Sequence, residues 1–265
     1  MPYGETKSIN GVTLSFHPAG HILGSAQVRI EYGGEVWVVS GDYKIEPDAT
    51  CAAFEHIRCH TFITESTFGL PVYVWPTQQT VFSEINDWWM QCRDQNRPVV
   101  ILAYALGKAQ RLIAGVDSSI GPIYCHPSVQ LMNDEYRASG IDLPKTWLPS
   151  QAPGRKGWGG VLIVAPPSMA HSAWLSQFGN ASVAMASGWI LTGGTRRQKS
   201  VDVGFPLSDH ADWPGLLKAI DETRADQILV THGDAATLVG WLNRHGKQAR
   251  EIMMPQSRTV VPTVP

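Results

Sequence analysis

An α/β protein in which one module interrupts another is what this sequence predicts, and three observations carry that reading. Residues 12–17 and 26–40 alternate apolar and polar positions about a Gly33-Gly34 pair, the pattern of strands joined by a tight hairpin turn. From Pro76 to about residue 200 the texture becomes apolar runs separated by helical periodicity, as in parallel βα units. The last third then returns to buried runs that end on an ionisable residue, like those of the first third. The boundaries so read are 1–75 with 201–265 for one discontinuous domain and 76–200 for the domain inserted into it.

The first strand places Val12, Leu14 and Phe16 on one face and begins with no capping element before it, so a further segment is expected upstream. His21 follows in a loop made tight by Pro18, Gly20 and Gly24, where bare backbone lets a ligand approach. Asp42 ends the hairpin's second strand. The run from Thr61 to Thr64 ends at Glu65, before Gly69 and Pro71, and ligand sites of α/β sheets favour such strand mouths. Val81, Ile85, Trp88, Trp89 and Cys92 recur at helical spacing, Val99 to Ala103 is a buried strand, and after Gly107 a helix buries Ala109, Leu112, Ile113 and Val116. Pro122 to Cys125 reads as a short strand before a helix to about Arg137, and 144–160 reads as a loop. Val161 to Ala165 and Ser182 to Ala186 are two more strands, separated by a helix holding Trp174. Asp212 can cap a helix with Trp213, Leu216, Leu217 and Ile220 inside, and Asp234 one with Leu238, Trp241 and Leu242. Between them the strand from Gln227 to Thr231 brings His232 to its end.

With 43% hydrophobic residues in 265, the chain can bury a core. A formal charge of −2 excludes a protein that is basic all over, so a nucleic-acid partner would be held by a local patch. Cys51, Cys59, Cys92 and Cys125 form no Cys-x-x-Cys pair, and no apolar stretch reaches the length of a membrane span or signal peptide. No membrane partner and a cytoplasmic location are therefore expected, with the thiols packed as small hydrophobes.

Singly, each polar candidate has an ordinary explanation. His21 and His232 could be turn or core histidines, Asp42 a turn residue and Glu65 a loop cap. Jointly, acids and imidazoles at several strand ends suit a zinc-like divalent metal, and a pair of such metals needs a bridging carboxylate with outer imidazoles. Gly107 and Lys108 open a helix whose free N–H groups favour an anion, without the spacing of a nucleotide loop. Arg196, Arg197 and Lys199 could grip a phosphate backbone or simply be a solvated charged loop.

The motifs PAGHILGSA, SGDYK, TESTFG, YALGKAQR, LSDHAD and VTHGD, in this order from about Tyr3 to Trp241, resemble the β-CASP branch of the metallo-β-lactamase superfamily. Within it they are similar to the bacterial ligase-associated DNA exonucleases, kin of the nucleases of mRNA 3′-end processing. The resemblance implies a metallo-β-lactamase αββα sandwich with an inserted β-CASP cap over 76–200. It implies His21, Asp42 and His232 as metal ligands, Asp42 bridging two Zn2+ ions, and Glu65, His210 and Asp42 as the catalytic set, with His210 facing the scissile phosphate. It further implies single-stranded DNA, ahead of RNA, in a groove lined by Lys108, Arg111, Arg196, Arg197 and Lys199, and by its label a functional association with a DNA ligase.

One element of the family pattern is absent from this sequence. A His-x-His-x-Asp-His run precedes the His21 motif in the family and supplies four ligands, so the set here is incomplete. The expectation is a zinc-dependent exonuclease, truncated and weakly active or inactive as it stands. The alternatives are a non-catalytic nucleic-acid-binding relative, an RNA-processing nuclease, or a metallo-hydrolase of small esters, against which the cap and the His210 motif argue.

Overall fold

The computed structural model describes residues 1–152, 158–192 and 201–252, and it holds two sheets. Alternating residues give the first sheet its hairpins. Strands β1 (Thr6–Ile9), β2 (Val12–Pro18), β3 (Ala26–Tyr32) and β4 (Glu35–Val39) pair antiparallel, and β5 (Thr61–Ser66), β12 (Gln227–Gly233) and β13 (Ala249–Glu251) continue parallel, in the order β1-β2-β3-β4-β5-β12-β13. Tyr32 pairs with Glu35 across Gly33 and Gly34, at φ 58° and 87°, angles that cost glycine little and other residues much. The turn predicted there is therefore the turn that forms. β1 is an addition: Asn10-Gly11, also at positive φ, folds it onto β2. β13 was not anticipated either.

One face of this sheet carries Val36, Val38, Phe62, Ile228 and Val230, buried with Leu216 and Ile220 of α5 (Trp213–Thr223) and Leu238 and Leu242 of α6 (Ala235–Arg244). Both helices start on the acids the sequence proposed as caps, Asp212 accepting from Gly215 N–H at 2.9 Å and Asp234 from Thr237 N–H at 3.2 Å. The register places Leu14, Ile30 and Trp37 in one row of the opposite face and Phe16, Val28 and Val39 in the next. None of these six is buried.

The second sheet lies between. β6 (Val99–Leu102), β7 (Ile123–Cys125), β8 (Thr146–Trp147), β9 (Leu162–Ala165), β10 (Ser182–Ala186) and β11 (Val203–Phe205) run parallel in the order β11-β10-β6-β9-β7-β8. The apolar runs of β6, β7 and β9 are buried at every residue, as the inner strands of a parallel sheet require. One face meets α1 (Gln78–Asp94), α2 (Lys108–Gly115) and α3 (Pro127–Ala138), and the other meets Trp158, Phe178 and Val201. β8 falls inside the stretch read as a loop, because two residues of Pro- and Trp-rich chain suffice for an edge strand and no periodicity betrays so few. The helix at Trp174 is the single turn α4 (Ala173–Ser176).

Candidate active site

The loops that leave the mouth of the first sheet bring the chemistry together. His21 lies between β2 and β3, and Gly20 before it is at φ 69° with the Lys44 carbonyl 2.3 Å from where a Cβ would sit, so only glycine fits. Asp42 follows β4, Glu65 lies in β5, and His210 stands in the link from β11 to α5. The carboxylate of Glu65 is buried. It accepts from Tyr43 N–H at 2.9 Å and Thr67 N–H at 3.2 Å, and both its oxygens meet His210 Nδ1, at 2.9 and 3.0 Å. Burial pushes the Glu65 carboxyl up, but the hydrogen bond and charge of His210 outweigh it and hold the group below the ordinary carboxylate value. Burial likewise pulls the His210 imidazole down, and Glu65 more than reverses this, so His210 is raised.

His21 is anchored in the same way. Its Nδ1 lies 2.9 Å from the carbonyl of Asp209, and since a carbonyl only accepts, that nitrogen carries the proton. Its Nε2 is then the lone-pair nitrogen, 3.9 Å from Asp42 Oδ2. The two imidazoles stand 4.7 Å apart between centroids, tilted by 57°. One ligand atom from each of His21, Asp42 and His210 lies within 4.8 Å of the others. His21, fixed through Nδ1 with Nε2 left as the donor, and the half-exposed Asp42 carboxylate beside it are the donor types that fit a divalent metal of the zinc type.

No family model matches the chain. A protein named probable DNA ligase from Opitutus terrae is 31% identical over 253 residues, covering 94% of this chain and 24% of that one. Endoribonuclease YSH1 of Gibberella zeae is 30% identical over 126 residues, 46% of this chain and 15% of its own. The chain thus spans less than a quarter of the length of either relative. It belongs to the β-CASP branch of the metallo-β-lactamase superfamily. A crystal structure of a protein of unknown function from Enterococcus faecalis superposes with a TM-score of 0.65 at 10% identity, over 96% of this chain and 65% of that one, a likeness of fold.

For a β-CASP protein, the sequence-derived residues divide unevenly. His21, Asp42, Glu65 and His210 converge. His232 does not join them: its ring is exposed, its backbone is left-handed at φ 57°, and Ser66 Oγ donates to its carbonyl at an irregularity of β12. Lys108 and Arg111, read as groove cations, are instead buried. Lys108 pairs with Asp209 at 3.4 Å, and Arg111 pairs with Asp48 at 2.7 Å and Asp209 at 3.2 Å, because α2 turns its first turn inward against the loop of Ile22. Arg196, Arg197 and Lys199 lie outside the described residues. Sequence reasoning missed Asp48 and Asp209. Asp209 adjoins His210 in LSDHAD and so had a signal; Asp48, in a Pro- and Ala-flanked loop, had none.

Proposed function

We propose that this chain carries the active centre of a zinc-dependent nuclease acting on single-stranded DNA, an exonuclease of DNA repair or processing. The observation that carries the reading is the Glu65–His210 pair set beside His21 and Asp42, with both rings anchored through Nδ1. His21 and Asp42, whose nearest donor atoms lie 3.9 Å apart, would hold the metal. When bound, such ions lower the pKa of water towards neutrality and offset charge on the phosphodiester oxygens.

The chain's own residues account for the rest. Glu65 raises His210 above its ordinary value, which favours a proton on Nε2 for the leaving oxygen. Glu65 is fixed by Tyr43 N–H and Thr67 N–H, which sets the ring's direction as well as its charge. His21 keeps the tautomer with Nε2 free for a metal because its Nδ1–H donates to the Asp209 carbonyl. Phe68, with its ring 5.9 Å from that of His210, lines the apolar side and limits water there.

The finer architecture belongs to the same proposal. In an αββα sandwich a second sheet covers the face of Leu14, Phe16, Val28, Ile30, Trp37 and Val39, which fits six apolar side chains left unburied here. DNA is favoured over RNA because the relative named a DNA ligase matches 94% of the chain, whereas the one named an endoribonuclease matches 46%. An association with a DNA ligase rests on that same name. A cytoplasmic location fits four free thiols, three buried and one half-buried. Among the described residues, no helix is long and apolar enough to cross a membrane.

The test is zinc content by elemental analysis together with cleavage of end-labelled single-stranded DNA and RNA, with and without chelator. Chelator-sensitive shortening of DNA from one end supports the reading. Zinc-independent cleavage, or cleavage of RNA alone, would overturn it.

A further inference from the structure

The buried cations behind the site have no part in the proposed chemistry, yet they touch the backbone on both sides of it. Arg111 sits on α2, in the unit inserted between the two halves of the first sheet, and only 2% of its side chain is exposed. Its Nε meets Asp48 Oδ2 at 2.7 Å and its Nη1 meets Asp209 Oδ1 at 3.2 Å. Nη1 also donates to the carbonyl of Ser208, and Nη2 to the carbonyl of His21 at 3.4 Å. One guanidinium therefore joins three stretches of chain far apart in sequence: the His21 loop, the Asp48 loop and the segment just before His210.

These contacts lie at both ends of one hydrogen bond. His21 Nδ1 donates to the carbonyl of Asp209; Arg111 holds the carbonyl of His21 itself and, on the other side, the carboxylate of Asp209 and the carbonyl before it. Lys108 grips the second oxygen of the Asp209 carboxylate at 3.4 Å. Buried ion pairs contribute little net stability once desolvation is counted, so stability is a poor explanation for this arrangement. A planar fork with five donors is well suited to fix the relative placement of several acceptors, and an ammonium is not.

We infer that Arg111 is a positioning residue, a strut from the inserted unit that sets the direction of the His21 ring and the path of the chain into His210. This rests on the reading of His21 and His210 as site residues and assigns the charge of Arg111 to the protein's own backbone, with no contact to substrate. It also means that movement of the inserted unit against the first sheet would disturb the site through α2.

Arg111→Ala leaves Asp48 and Asp209 buried with one nearby cation fewer, Lys44 and Lys108 alone remaining, and risks unfolding, so the decisive variant is Arg111→Lys, which keeps the charge and loses the fork. The measurement is side-chain 15N NMR of the full metal-free chain, following solvent exchange of the His21 Nδ1 proton, assigned with His21→Asn. Trp89, whose fully buried Nε1–H donates to the Gly160 carbonyl at 3.0 Å, serves as the internal reference. The expected result is exchange at least tenfold faster at His21 with the Trp89 signal unchanged. An unaltered His21 proton would overturn the inference, and so would joint loss of the His21 and Trp89 signals, which would mean a general structural role. Ring position is read here without metal or nucleic acid, so failure of the nuclease reading and failure of the strut are told apart.

Discussion

The two sheets of this molecule solve the burial problem differently. Strands β6 and β9 of the second sheet are buried at every residue, with helices α1 to α3 on one face and the Trp158–Phe178 cluster on the other. Among the described residues, the first sheet is covered by α5 and α6 on one face only, and its other face leaves Trp37 and five further apolar side chains unburied. The convergent groups His21, Asp42 and Glu65 belong to the second kind of sheet and its loops. A sheet closed on both faces presents mainly helix and strand ends to solvent. The first sheet offers Glu65 at a strand end and His21 and Asp42 in the loops beyond its strands, while α2 contributes the buried Lys108 and Arg111 that pair with Asp48 and Asp209 behind them.

The largest effect expected from this division is at the mouth of the first sheet. Asp42→Ala removes the carboxylate nearest the free nitrogen of His21, and loss of metal-borne charge stabilisation worth several kcal/mol predicts a fall in cleavage on the order of a thousandfold or more. Zinc content should fall with it. His210→Ala should reduce cleavage by about 10²–10⁴-fold, the range of a lost general acid, while metal content stays unchanged. Emptying of the metal site in the His210 variant would show instead that this imidazole is a ligand, as its place within 4.8 Å of His21 and Asp42 allows.

How far the sequence discloses such a division depends on the length of pattern each feature offers. The Gly33-Gly34 hairpin, the helices with Val81, Ile85 and Trp89 or Leu216 and Ile220, and the strand-end positions of Asp42 and Glu65 were legible, because periodicity and turn chemistry act over several residues. β1 was legible too, through Asn10-Gly11, a turn signal as strong as the one that was used. β8, with two residues, left no period to read. Lys108 and Arg111 show the limit of reading charge: exposed and buried cations look alike in sequence, and what buries Arg111 is Asp48, 63 residues away. His232 was legible as a strand end but not as a residue turned out at a bulge, since that depends on Ser66 in the neighbouring strand.

Stability measurements sharpen the contrast between the sheets themselves. Ile101→Ala, at the centre of the second sheet, should cost about 2–5 kcal/mol, since it opens a cavity in packing that cannot collapse. Trp37→Ser, on the open face of the first sheet, should cost less than Ile101→Ala, because a side chain already 40% exposed has less of its burial to lose and leaves no closed cavity. Urea unfolding midpoints of the two variants provide the comparison. A cost at Trp37 equal to that at Ile101 would break it, by showing that something covers that face in solution.

The smallest effect is a pH dependence from the Glu65–His210 pair. His210 is raised above its ordinary 6.5, so its contribution is full below 6.5 and is lost as pH rises through the raised value. Glu65 is lowered from 4.5, so its contribution is present above 4.5 and is lost as pH falls through the lowered value. The pair therefore stabilises the metal-free chain most between pH 4.5 and 6.5. Glu65→Gln, which keeps an acceptor for His210 but removes the charge, should flatten the dependence of Tm on pH on both sides of that window. Parallel Tm profiles for the variant and the wild type would mean that the two groups do not titrate as a pair, and the assignment of a held proton on His210 would fall with them.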